Sequence, residues 1–142
     1  MKSELSFELI DHTADLALRF RGASLEQLFE RAARGMFEYA IEDLDRLAAG
    51  AERAIELTAG TDAELLVDWL NELLFLLDAR RELHAWPRLE HVGHGRLTGR
   101  AGFATVDRAG HRLRNPVKAA TYHGLRLEQR ADGWLAEVLF DL

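Results

Sequence analysis

The chain has 142 residues, 48% of them hydrophobic, with three Trp, seven Phe, no cysteine and a formal net charge of −6. That length suits one domain, residues 1–142, that buries roughly two thirds of its unfolded surface. The missing cysteines exclude disulfides, thiolate metal sites and a cysteine nucleophile. The negative charge argues against a protein that grips a phosphate backbone, so no stable nucleic-acid binding is expected and a basic protein partner or a cation suits the chain better.

In chain order, Leu5 to Ile10 has strand character and Asp11-His12-Thr13 interrupts it. Ala14, Leu16, Leu18 and Phe20 alternate with Asp15, Ala17, Arg19 and Arg21, the period of a half-buried strand that Gly22 then turns. Ser24 and Gln27 form a capping box. The helix they open carries Leu25, Leu28, Phe29, Ala32, Ala33, Met36, Phe37 and Ala40 on one face, with Glu26, Glu30, Arg31 and Arg34 expected toward water. An acidic stretch from Glu42 to Gly50 precedes a strand from Arg53 to Thr58. Thr61 and Glu64 form a second capping box, and the helix behind it holds Leu65, Leu66, Trp69, Leu70, Leu73, Leu74 and Leu77, the most apolar stripe in the chain.

The second half has strand patterns throughout. Pro87 within Leu83 to Val92 points to an edge or a bulge, because proline cannot donate to a ladder. Arg96 to Val106 alternates weakly, Val117 to Gln129 alternates, Asp132-Gly133 reads as a hairpin turn, and Trp134 to Asp141 returns as the last strand. The expected fold class is α+β, with two helices packed on a mostly antiparallel or mixed sheet of six or seven strands. No signal peptide is recognisable and no apolar run approaches the ~20 residues a membrane span needs, so a soluble, cytoplasmic protein without membrane contact is expected.

Two sets of residues have the chemistry for a metal. Asp15, Asp141 and the terminal carboxylate of Leu142, if the two ends of the chain meet, form an oxygen-only set suited to a hard divalent cation. Asp11 joins only if His12-Thr13-Ala14 bends, since an extended chain puts Asp11 and Asp15 ~13 Å apart. On pattern alone, solvated turns and helix caps are the commoner use of such acids. His91 and His94, with His84 and His111 in reserve, have a spacing zinc accepts, but an exposed hairpin end explains them more simply. His123 has the pattern of a strand residue, either satisfied in the core or lining a pocket. The glycines at 93, 95, 99 and 102 lack the strand-to-helix context of a phosphate loop, and none of the three serines is placed as a nucleophile.

Four strings, spread in order over nearly the whole chain, resemble the archease family. They are Asp11-His12-Thr13-Ala14-Asp15 with Leu25-Glu26-Gln27-Leu28-Phe29 behind it, Trp69-Leu70-Asn71-Glu72-Leu73-Leu74, Val117-Lys118-Ala119-Ala120-Thr121-Tyr122-His123, and the ending Phe140-Asp141-Leu142. The resemblance implies an archease-like fold and a non-catalytic role. The chain would act as a protein cofactor that helps a GTP-dependent, RtcB-type RNA ligase of tRNA splicing and RNA repair through guanylylation and multiple turnover. It also implies a divalent site, calcium first with magnesium or manganese as alternatives, held by Asp15, Asp141 and Leu142. Asp11, His12, Lys118 and His123 would support that site from outside or contact the partner. Residues 84–114 match none of these strings. The competing functions are a metal-dependent hydrolase acting alone, with His12 or His123 as base, and a general chaperone, which requires a large exposed apolar patch.

Overall fold

The computed structural model describes residues 5–10, 16–106 and 116–142. Its elements are β1 (Glu8–Ile10), β2 (Leu16–Gly22), α1 (Leu25–Ala40), β3 (Ala51–Thr58), α2 (Asp62–Arg80), β4 (Glu82–Gly93), β5 (Arg96–Thr105), β6 (Ala119–Arg130) and β7 (Gly133–Asp141), with a short 3-10 turn at Leu44–Arg46. The class is α+β, as expected, and every pairing among the described residues is antiparallel. The single sheet of the sequence reading is replaced by two, in the orders β1-β2-β7-β6 and β3-β5-β4. Period-2 alternation shows which side chains meet a core but not which sheet a strand joins.

Both helices pack on strands of both sheets, α1 against β2 and β4 and α2 against β6 and β4. That position explains why α2 is buried at Leu65, Leu66, Val67, Trp69, Leu70, Leu73, Leu74 and Leu76, more than one stripe of its circumference. The Trp69 indole N–H donates to the Phe29 carbonyl at 2.9 Å, tying the two helices where both are fully buried. The N-cap half of each capping box forms, and the Gln27 side chain reaches back to the Ala23 N–H at 2.6 Å rather than to that of Ser24. The Ser24 hydroxyl accepts from the Gln27 amide, and the Thr61 hydroxyl from that of Glu64, each at 3.1 Å.

Gly22 is the last residue of β2, as expected, and α1 starts against its backbone; a Cβ there would lie 2.4 Å from the Leu28 nitrogen. The β6–β7 turn is Ala131-Asp132, and Gly133 opens β7 at φ +137° with the Gly22 carbonyl where a Cβ would sit. β4 is an edge strand with irregularities between Leu83 and Trp86 and between Leu89 and His91, which accommodates Pro87.

The polar face of α1 does not simply face water. Glu30 accepts the Leu89 amide at 2.8 Å and Glu26 accepts that of Val92 at 2.9 Å, so two carboxylates one turn apart seal the bulged edge of β4. No helix among the described residues is long and apolar enough to cross a membrane.

Candidate functional site

β7 runs between β2 and β6, and its last residues lie where both neighbours begin. Leu16, the residue after Asp15, pairs with Phe140, the residue before Asp141. On the other side Ala119 pairs with Asp141, and the Lys118 amide donates to the Asp141 carbonyl at 2.9 Å. The main chain of Asp141 is thereby fixed while its side chain stays exposed, and its carboxylate has no hydrogen-bond or ion-pair partner among the described residues. Leu142 follows, exposed. Asp11, His12 and Asp15 lie outside the described residues, so the predicted ligand set is represented here by Asp141 and Leu142.

The donor chemistry of this pair fits a hard divalent cation: an unpaired carboxylate and adjacent main-chain oxygens on a backbone held by two ladders. Lys118, exposed and without a carboxylate partner among the described residues, is the one cationic side chain in the first residues leading into β6.

α2 fixes the start of β6 through side chains. The Asn71 carboxamide accepts the Ala120 N–H at 2.8 Å and donates to the Ala120 carbonyl at 3.0 Å, pairing with the edge strand as another backbone would. One turn earlier, the Tyr122 hydroxyl donates to the Asp68 carboxylate. That hydrogen bond, with desolvation and the charges of Asp68 and Glu64 adding to it, raises the Tyr122 pKa above the ordinary phenol value. From Asp68 to Asn71 the helix follows β6 backwards from Tyr122 to Ala120. Exposed Phe75 lies one turn further along the helix.

His123 is not a core residue. It is exposed in the stretch where β6 loses register between Thr121 and Arg126, beside Gly124 at φ +66°. Lys118 likewise lies on the surface, so core packing explains neither residue. The histidines with zinc spacing separate too. His84 is fully buried, with Nε2 2.9 Å from Glu82 and its ring 4.7 Å from that of Phe103. His91 ends in a contact with the Gly93 carbonyl at 3.1 Å, and His94 sits in the β4–β5 turn at φ +52°. His111 lies outside the described residues, and among those described no group of three potential ligands forms.

Asn71, Asp68 and Tyr122 escaped the sequence reading as positioning residues. The signal that could have found Asn71 is its place inside a leucine-rich helix, where asparagine is a poor helix former and needs a reason to stay.

Two helices packed against two antiparallel sheets define an α+β domain. Residues 7–142 match the Archease protein family (MTH1598/TM1083), and the chain belongs to that family. It is 33% identical over 140 residues to "Protein archease" of Methanosarcina mazei, covering 96% of this chain and 95% of that one. It is 37% identical over 140 residues to the protein of the same name from Methanothermobacter thermautotrophicus, covering 96% and 98%. The solution structure of Methanobacterium thermoautotrophicum protein 1598 superposes with a TM-score of 0.79 at 34% identity, over 98% of this chain and all of that one. The crystal structure of a Thermotoga maritima protein described as "an archease, possible chaperone" shares the fold, with a TM-score of 0.65 at 23% identity over 100% and 98% of the two chains.

Proposed function

We propose that this chain is a non-catalytic protein cofactor of an RtcB-type, GTP-dependent RNA ligase, promoting guanylylation of the ligase and multiple turnover in tRNA splicing and RNA repair. Family membership over residues 7–142 supports the role, and the observation that carries the site is the unpartnered Asp141 carboxylate at the meeting of β2, β6 and β7.

Asp15, Asp141 and a main-chain oxygen of Leu142 hold a divalent cation, calcium first, with Asp11 and His12 supporting them. When bound, the ion supplies concentrated positive charge at an otherwise acidic tip. The rest is done by the chain's own residues. The Lys118–Asp141 main-chain hydrogen bond and the Asn71 clasp on Ala120 hold the tip still. Exposed Phe75 and Leu142 provide apolar contact, and Lys118 and His123 present donors to the ligase surface. An acidic cofactor meets a basic RNA-binding enzyme by electrostatic steering and leaves again after each activation.

Multiple-turnover RNA ligation by the cognate ligase, with GTP and manganese, tests this with substoichiometric wild-type protein and Asp141→Ala side by side. Stimulation by wild type that Asp141→Ala loses supports both role and site. Equal stimulation by both would keep the partner and discard the metal site. No stimulation by either would overturn the proposal.

A further inference from the structure

A cavity of about 400 Å³ lies between α1 and the bulged strand β4. That volume is in the range of small-molecule pockets. Arg31, Arg34 and Arg88 line it, together with Trp86. Two carboxylates also line it, but both are committed. Glu30 caps the Leu89 amide, and Glu52 holds Arg88 through two bonds of 2.8 Å and Arg100 at 3.3 Å.

Arg34 is partnered by Glu38 at 3.2 Å and by a highly exposed Asp45 at 3.3 Å, and its guanidinium carbon lies 5.9 Å from the Trp86 ring centre. Arg31 has nothing. Its Nε is buried without an acceptor, and no ion pair engages its charge among the described residues. Arg31 itself is half-buried, and a buried N–H without an acceptor is unfavourable unless something else answers it. The two carboxylates of the lining do not answer it, because Glu30 and Glu52 are already used.

We propose that this cavity is an anion-binding site for a small phosphomonoester with a flat organic body. The phosphate would pair with the Nε edge of Arg31, assisted by Arg34 and Arg88, and the flat body would lie along Trp86. Arg31 brings the one guanidinium of this lining without a carboxylate partner among the described residues, and phosphate offers it more acceptor oxygens than a carboxylate does. Arginine's planar fork matches phosphate oxygens two at a time. The site is independent of Asp141 and of any metal there.

Phenyl phosphate is the probe, followed by proton–nitrogen NMR at the Arg31 Nε–H and the Trp86 indole N–H, with inorganic phosphate and benzoate titrated separately. The expected result is saturable movement of both resonances by phenyl phosphate, at least about tenfold tighter than for either comparison compound. Arg31→Gln should weaken binding by about tenfold or more while leaving the urea midpoint unchanged or higher, because an unanswered buried N–H is removed. Arg31→Lys, which keeps charge and stem but loses the fork, should fall between the two and guards against a folding defect in the first variant. No saturable shift at Arg31, binding unchanged in Arg31→Gln, or equal affinity for phenyl phosphate and inorganic phosphate would each overturn the proposal.

Discussion

Asp141 and Glu82 show how differently a single carboxylate can be used. Asp141 has a fixed backbone and an exposed side chain without a partner among the described residues. Glu82 accepts two hydrogen bonds from Arg53, at 3.1 and 2.8 Å, and contacts the buried His84. The Arg53 guanidinium, more than His84, holds its carboxyl below the usual carboxylate range against an opposing contribution from burial. A depressed folded-state pKa gives stability that is complete above the unfolded value, about 4.3 for glutamate, and is lost as pH falls through the folded value. Glu82→Gln is therefore expected to lower the urea midpoint at pH 6 and to flatten its decline as pH falls below about 4.3. Urea titrations across that range check it; an acid limb as steep as wild type would show that Glu82 is not the group responsible. Glu52 and Glu128 are shifted the same way by their arginines, but they are solvated at the surface and contribute little.

At the scale of elements, both helices close a sheet edge with side chains. α1 does so on β4 with Glu26 and Glu30, and α2 on β6 with Asn71. An uncovered edge offers unpaired N–H and C=O groups to any other strand, and these contacts answer them internally. Asn71→Ala strips both hydrogen bonds from the buried Ala120 backbone and should cost about 2 kcal/mol, within the usual range for stranded buried groups. Amide exchange at Ala120 should accelerate more than at the centre of β7. Because β6 places Lys118 against Asp141, the variant should also stimulate the ligase less at temperatures where it remains folded. A stability loss below about 0.5 kcal/mol would mean water replaces the carboxamide without penalty.

For the whole molecule, the net charge of −6 bears on association rather than on the fold. If steering toward a basic ligase sets the encounter, the concentration of this protein giving half-maximal stimulation should rise severalfold between about 50 and about 300 mM salt. A salt-independent requirement would place the affinity in apolar contacts such as Phe75 instead. The two-sheet architecture also separates the proposed sites. The acidic tip belongs to the β1-β2-β7-β6 sheet, whereas the arginine cavity lies between α1 and the β4 side of the molecule, so variants in one can be tested with the other intact.

What the sequence determined by itself was whatever depends on near neighbours. Both helix N-caps, both apolar helix stripes, the alternating strands and the edge character of the Pro87 strand are written within a few residues of where they act. The family strings added a reading of the acidic chain ends, of which Asp141 and Leu142 fall within the described residues. Only the tertiary structure decided that seven strands divide into two sheets, that Glu26 and Glu30 turn from water to cap an edge, and that His123 is exposed at a bulge while His84 is buried. Those outcomes join residues tens of positions apart, as in Glu30 with Leu89 and Asn71 with Ala120. Periodicity records how much of a side chain must be hidden; the partner that hides or answers it is chosen by packing across the whole chain.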